Sequence, residues 1–70
     1  MKVLSVTPKR NLKGDWWLIH MDDGQKFATA DMFKSALAQR AADADADVIA
    51  FGGGGWFYKE LRFISIKGAE

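Results

Sequence analysis

Trp16-Trp17-Leu18-Ile19-His20-Met21, running into Asp22-Asp23-Gly24, is the stretch on which the reading of this chain turns. Successive residues of a strand face opposite sides. Trp17, Ile19 and Met21 therefore share one side, and Trp16, Leu18 and His20 the other. A core needs only one apolar side. A chain of 70 residues has little material to cover a second. Trp16, Leu18 and His20 are thus expected to meet water or a partner. Flat rings in such a place stack on other rings or anchor interfaces.

Outward from this strand the chain reads as a small β-rich domain. Lys2–Thr7 is a first strand, and Pro8, which cannot donate to a ladder, marks its end or an edge position. Asn11-Leu12-Lys13-Gly14-Asp15 is a turn. Trp16–Met21 is the second strand, and Asp22-Asp23-Gly24-Gln25 signals a hairpin. Lys26–Ala30 is the third strand, with Phe27 and Thr29 on one face. Asp31 is placed to cap a helix over Met32–Ala42. Phe33, Ala36, Leu37 and Ala41 make its apolar stripe, and Phe33 and Leu37 are expected in the core. Lys34 stands where a capping box has Glu. After Ala42-Asp43-Ala44-Asp45-Ala46-Asp47, Val48–Phe51 starts a fourth strand. Gly52–Gly55 breaks it and Trp56–Tyr58 resumes it. Leu61–Ile66 is the fifth. No repeat or linker interrupts the chain, so residues 1–70 form one domain. The expected class is mainly β with one helix, a five-stranded barrel in chain order β1-β2-β3-α-β4-β5. Closure would remove the exposed edges.

Composition narrows the setting. Such a chain buries about 60% of its unfolded surface, so its core is marginal. Its residues are 49% apolar, which suits a compact fold rather than disorder. It has no cysteine, which removes disulfides and thiolate metal sites. No apolar run approaches the ~20 residues of a membrane span. Met1-Lys2-Val3-Leu4-Ser5 turns polar too early for a signal peptide. The expectation is a soluble cytoplasmic protein with no membrane partner. Net charge is +1, but Lys2, Lys9, Arg10 and Lys13 crowd the first thirteen residues, which hold no acid. Asp43, Asp45 and Asp47 concentrate negative charge elsewhere. A local basic patch attracts phosphate even on a near-neutral chain.

Three stretches resemble the OB-fold, the oligonucleotide/oligosaccharide-binding barrel. The first is Val6-Thr7-Pro8-Lys9 with Lys13-Gly14-Asp15-Trp16-Trp17-Leu18-Ile19. The second is Asp22-Asp23-Gly24-Gln25-Lys26-Phe27-Ala28-Thr29. The third is Asp47-Val48 with Gly54-Gly55-Trp56-Phe57-Tyr58-Lys59-Glu60-Leu61 and Ile64-Ser65-Ile66. Within that family the chain looks most like compact single-stranded DNA-binding proteins of the small phage or mobile-element type. It departs from them at Ala46, where Gly often stands, and in its run of four glycines. The resemblance implies a ligand crossing strands two and three, between the first and fourth loops. Trp16, Leu18 and His20 would lie there beside Lys26, Ala28 and Ala30. Trp16, Trp56 and Tyr58 would stack bases, and Lys9, Arg10, Lys13 and Lys26 would lie near phosphates.

Other readings of the same residues stand beside this one. Trp16 can equally pack over the barrel rim or in a dimer interface. Gly52–Gly55 is either a mobile finger closing on a ligand or a plain turn, with Phe57 inside and Trp56 or Tyr58 outside. It is not a phosphate-binding P-loop, because no Gly-Lys-Ser/Thr follows. Asp43, Asp45 and Asp47 mimic the start of a calcium loop, but Val48 and Gly54 occupy its Gly and Glu positions. His20 is the only histidine, too few for zinc without cysteine. Ser5, His20 and Asp22 lack a nucleophile elbow, so no catalytic residue and no cofactor is expected. The expected function is a non-enzymatic module that binds single-stranded DNA with little sequence preference. The alternatives are an RNA-binding domain, or an oligomerising barrel whose Trp16-Leu18-His20 strip forms the interface.

Overall fold

The computed structural model describes residues 1–67, so residues 68–70 of the expected domain lie outside the described residues. It contains β1 (Val3–Asn11), β2 (Gly14–Met21), β3 (Lys26–Thr29), α1 (Met32–Asp43), β4 (Val48–Gly53) and β5 (Lys59–Ile66). Chain order and element types are those expected. Spatial order is β1-β2-β3-β5-β4 in one five-stranded sheet. β1 to β3 form an antiparallel meander, β4 and β5 an antiparallel hairpin, and β3 joins β5 in parallel.

β1 continues through Pro8 instead of ending before it, pairing Pro8 with Trp17 and Arg10 with Asp15. Pro8 is tolerated because beyond Ser5 this is an edge strand. The β2–β3 ladder begins only at Trp17–Thr29. The far end of the β1–β2 hairpin is thus an arm, with every residue from Pro8 to Asp15 exposed. At its tip the Asn11 side chain accepts the Lys13 amide at 2.8 Å. At the next turn Asp23 accepts from the Gln25 side chain at 2.6 Å and its amide at 3.0 Å. Those two bonds hold the Asp23 carboxyl below its ordinary range.

Asp31 caps α1 as expected, accepting the amides of Phe33 (2.8 Å) and Lys34 (3.3 Å). Lys34 completes the cap by pairing with Asp31 at 3.3 Å. The expected apolar stripe is displaced. Ser35, Ala38 and Ala41 are the buried helix residues, whereas Ala36 is exposed and Phe33 is 79% exposed. A face of small side chains brings the helix close to the sheet, and Phe33 is too large for that contact. The helix ends in a Schellman motif. The Asp45 amide donates to the Ala42 carbonyl and the Ala46 amide to that of Ala41, with Asp45 left-handed at φ 53°.

The core consists of Val3, Ile19, Met21, Phe27, Ala38, Ala41, Val48, Ala50 and Leu61, flanked by Val6, Ala42, Ile64 and Ile66. Of the three inward residues expected in the opening stretch, Ile19 and Met21 lie at its centre, whereas Trp17 is half-buried and outside it. The expected closed barrel is not reached. β1 and β4 meet only through the Lys2–Asp47 bridge and the bond from the Val48 amide to the Met1 carbonyl at 2.7 Å. A register irregularity between Val3 and Ser5 follows at once, and from there β1 follows β2 alone.

Candidate nucleic-acid interface

The four-glycine run sets the geometry of the site. A Cβ on Gly52 would overlap the Glu60 carbonyl oxygen, and one on Gly55 that of Tyr58. Gly55 is also left-handed at φ 80°. Close backbone approach at two points makes this a tightly specified turn. It also delays β5 until Lys59, so strand alternation does not govern Trp56, Phe57 and Tyr58. That is why Phe57, expected inside, is 90% exposed, and Trp56 is 98% exposed beside it.

An open cleft of about 570 Å³ lies between this turn, Trp16 of β2, the end of β3, the start of α1 and the first residues of β5. Ala28 and Ala30 contribute small side chains to it. Trp16, Trp56, Phe57 and Tyr58 are its aromatic lining. The Trp16 and Tyr58 rings meet with centroids 6.1 Å apart, tilted by 40°. The Trp16 Nε1 is buried without a protein hydrogen-bond partner. Leaving such a donor unpaired costs about 1–3 kcal/mol. The cleft's charged side chains are Asp31, Lys34 and Glu60. Asp31 and Lys34 neutralise each other, and the amides of Phe33 and Lys34 with the Lys34 ammonium hold the Asp31 carboxyl below its usual range. Glu60 has no ion-pair partner among the described residues.

The nine expected site residues are distributed unevenly. Trp16, Trp56 and Tyr58 come together in the cleft. Lys9 pairs directly with Trp16 across the ladder and is exposed. Arg10 and Lys13 lie on the arm, Arg10 bonded to Asp15 at 3.2 Å. Leu18, expected to face solvent, is 5% exposed. It pairs with Thr7 on one side and Ala28 on the other, in the middle strand of the meander. His20 is half-buried between Ser5 and Lys26, so the Trp16-Leu18-His20 strip is not an open surface. Lys26 borders a second groove of about 420 Å³ with Phe57, Tyr58 and Lys59, and Lys59 donates to the Gln25 side chain at 2.8 Å.

Phe57, Lys34 and Lys59 belong to the site and are missing from the expected set. Their signals are the aromatic run for Phe57, the turn following the Asp31 cap for Lys34, and the step from Tyr58 into β5 for Lys59. The aspartates after α1 do different work: Asp45 terminates the helix and pairs with Lys2 at 3.3 Å. Among the described residues no three His, Cys, Asp or Glu side chains converge as metal ligands. No helix among them is long and apolar enough to cross a membrane. No protein-family model matches the chain, and no curated protein or solved structure matches it.

Proposed function

We propose that this chain is a non-enzymatic OB-fold module that binds single-stranded DNA with little sequence preference. The observation that carries the reading is the cleft lined by four aromatic side chains, Trp16, Trp56, Phe57 and Tyr58, beside the small residues Ala28 and Ala30. Every base offers a flat face, so such a lining holds bases without reading their sequence. A base stacked on one ring contributes about 1–3 kcal/mol. Lys9 beside Trp16 and Lys26 beside the second groove supply charge at either end for phosphates. The topology supports the same assignment. An OB-fold is a partly open Greek-key barrel that binds across strands two and three. An isolated bridge between Lys2 and Asp47, just before β1 and β4, brings the two ends of the sheet together as such a barrel would need.

Titration with oligo-dT, followed by tryptophan fluorescence at low and high salt, tests the proposal. Trp16 and Trp56 should quench at micromolar protein. Affinity should fall as salt rises, because phosphate contacts release counterions. No quenching in low salt would end the proposal. Equal titration with oligo-U would extend it to RNA, since stacking does not read the 2′-hydroxyl.

A further inference from the structure

The positive charge of this chain is concentrated on one element. Beyond the Trp17–Thr29 pair, β2 is paired with β1 alone, and the hairpin runs on as a two-stranded arm. Residues 8–15 are all exposed. They hold Lys9, Arg10 and Lys13 against a single acid, Asp15. The arm therefore carries +2, and with a whole-chain charge of +1 everything else sums to −1. Asp15 pairs with Arg10 at 3.2 Å, but the two side chains are 82% and 63% exposed. So exposed a pair holds weakly, and the Arg10 guanidinium is free to exchange it for a phosphate.

Register places these cations around the arm rather than along one side of it. Facing residues of a ladder share a face, and successive residues alternate. Lys9 faces Trp16 and so lies on the cleft side. Arg10 faces Asp15 and lies on the opposite side. Lys13 is in the turn at the tip, where the Asn11 side chain accepts its amide at 2.8 Å. A strand stacked in the cleft meets one side of the arm only. Cations on both sides suit a groove flanked by two phosphate backbones. The major groove of B-form DNA is about 12 Å wide and admits a two-stranded β-ribbon, whereas the minor groove is about half as wide. From Pro8 to Asn11 the paired part of the arm is about 10 Å long, against a major-groove depth of about 8.5 Å. Leu12, wholly exposed at the tip, then reaches the groove floor, where thymine methyl groups offer an apolar contact.

We propose that this arm enters the major groove of duplex DNA, with Lys9 and Arg10 toward opposite phosphate backbones and Lys13 at its leading end. Trp16 belongs to both sites, because it faces Lys9 on the arm and lines the cleft. On the reading of the cleft proposed above, the protein accordingly holds a junction, with duplex on the arm and the unpaired strand in the cleft. An RNA duplex should not replace the DNA, since the major groove of the A-form is deep and narrow.

Fluorescence anisotropy tests this with a blunt DNA duplex of about two helical turns, oligo-dT, and the same duplex carrying a 5′ or a 3′ oligo-dT tail. Three phosphate contacts give log affinity against log salt a slope of about −2.7. The blunt duplex should bind on the order of 0.1 mM at physiological salt and about 500-fold tighter at one-tenth of that salt. Replacing both Arg10→Ala and Lys13→Ala should cut duplex affinity at least ~10-fold at low salt and flatten the slope by about 2. The better tailed duplex should bind at least ~10-fold tighter than either part alone. No binding of the blunt duplex at low salt, or a slope unchanged in the double variant, would overturn the inference whatever oligo-dT does. Equal binding of an RNA duplex would overturn the groove, and a tailed duplex no tighter than its parts would overturn the junction. Arm-dependent binding to anionic vesicles and not to duplex would give the arm to a lipid surface instead. A blunt duplex that binds while oligo-dT does not would uphold the arm and remove the reading of the cleft.

Discussion

Gly52→Ala and Gly53→Ala add the same methyl group at neighbouring positions and should act with opposite sign. At Gly52 the new Cβ overlaps the Glu60 carbonyl oxygen and crowds the Glu60 carbonyl carbon and Leu61 Cα at 2.9 and 3.2 Å. All three atoms are backbone, so no side chain can rotate away. An ordinary carbon–oxygen contact is about 3.3–3.6 Å, and reaching it requires the two strands to part by roughly 1.5 Å. The Gly52–Leu61 and Gly53–Glu60 pairs then fail. Each lost hydrogen bond costs about 0.5–1.5 kcal/mol, and buried Leu61 loses packing as well, for about 2–4 kcal/mol in all. A domain of 70 residues at about 0.05–0.15 kcal/mol per residue has about 3.5–10 kcal/mol in total. Gly52→Ala should therefore leave it close to unfolding. At Gly53 the added Cβ meets nothing, and the backbone is not left-handed. There alanine restricts the unfolded chain and should stabilise by about 0.4–1 kcal/mol. Urea unfolding followed by tryptophan fluorescence measures both, read as midpoints at constant slope. At about 4–8 °C per kcal/mol, the thermal midpoint should fall by at least ~10 °C for Gly52→Ala and rise by a few degrees for Gly53→Ala. Equal losses at the two positions would refute the steric argument.

Trp56→Ala should lower oligo-dT affinity by about 1–3 kcal/mol with an unchanged thermal midpoint, because this ring is almost wholly exposed. Glu60→Gln should tighten binding, because Glu60 lines the cleft and a carboxylate at roughly 8 Å from a bound phosphate would cost about 0.5–2 kcal/mol of repulsion, measured in the same titration. Asp45→Val should destabilise by about 1–2 kcal/mol, because a β-branched residue resists the left-handed conformation, whereas Asp45→Gly should be near neutral in urea unfolding. The Asp31 cap should also register in pH. Its carboxyl is lowered chiefly by the Phe33 amide, so its contribution is complete above an unfolded value of about 4 and is lost as pH falls through the lower folded value. Thermal midpoints from about pH 5 to about pH 2 should drop more steeply for the natural protein than for Asp31→Asn, whose amide oxygen caps without charge.

Features carried by local chemistry were legible in the sequence. The Asp31 cap, both early turns and the inward set Ile19, Met21 and Phe27 follow from turn residues and period-two alternation. The helix face was legible at Ala41 and not at Phe33 or Ala36, because periodicity ranks residues by hydrophobicity and size. The contact instead selects small residues, so Ser35 and Ala38 face inward and Phe33 outward. Leu18 was misread because alternation along one strand tells which face a side chain takes and not how much of that face is covered; it is 5% exposed. Thr7 and Ala28 flank it on strands whose pairing appears only in three dimensions. Phe57 was misplaced because alternation was carried across a stretch that is not a strand. The aromatic composition of the cleft could be read, but its shape depends on how Gly52 and Gly55 bend the chain.

Two ladder pairs, Phe27–Lys59 and Ala28–Glu60, join β3 to β5, and at the far edge the Lys2–Asp47 bridge and the Val48–Met1 bond join the same two halves, meander and hairpin. The partners across the β3–β5 seam are far apart in sequence, with the helix between them, and closing so long a segment carries an entropic penalty. The seam is thus a natural first point of partial opening, well below the free energy of global unfolding. Ala28 lies on one side of it and Glu60 and Tyr58 on the other, so the split runs through the aromatic cleft. A small hinge there would widen the gap between Trp16 and Tyr58 while leaving each half of the sheet intact.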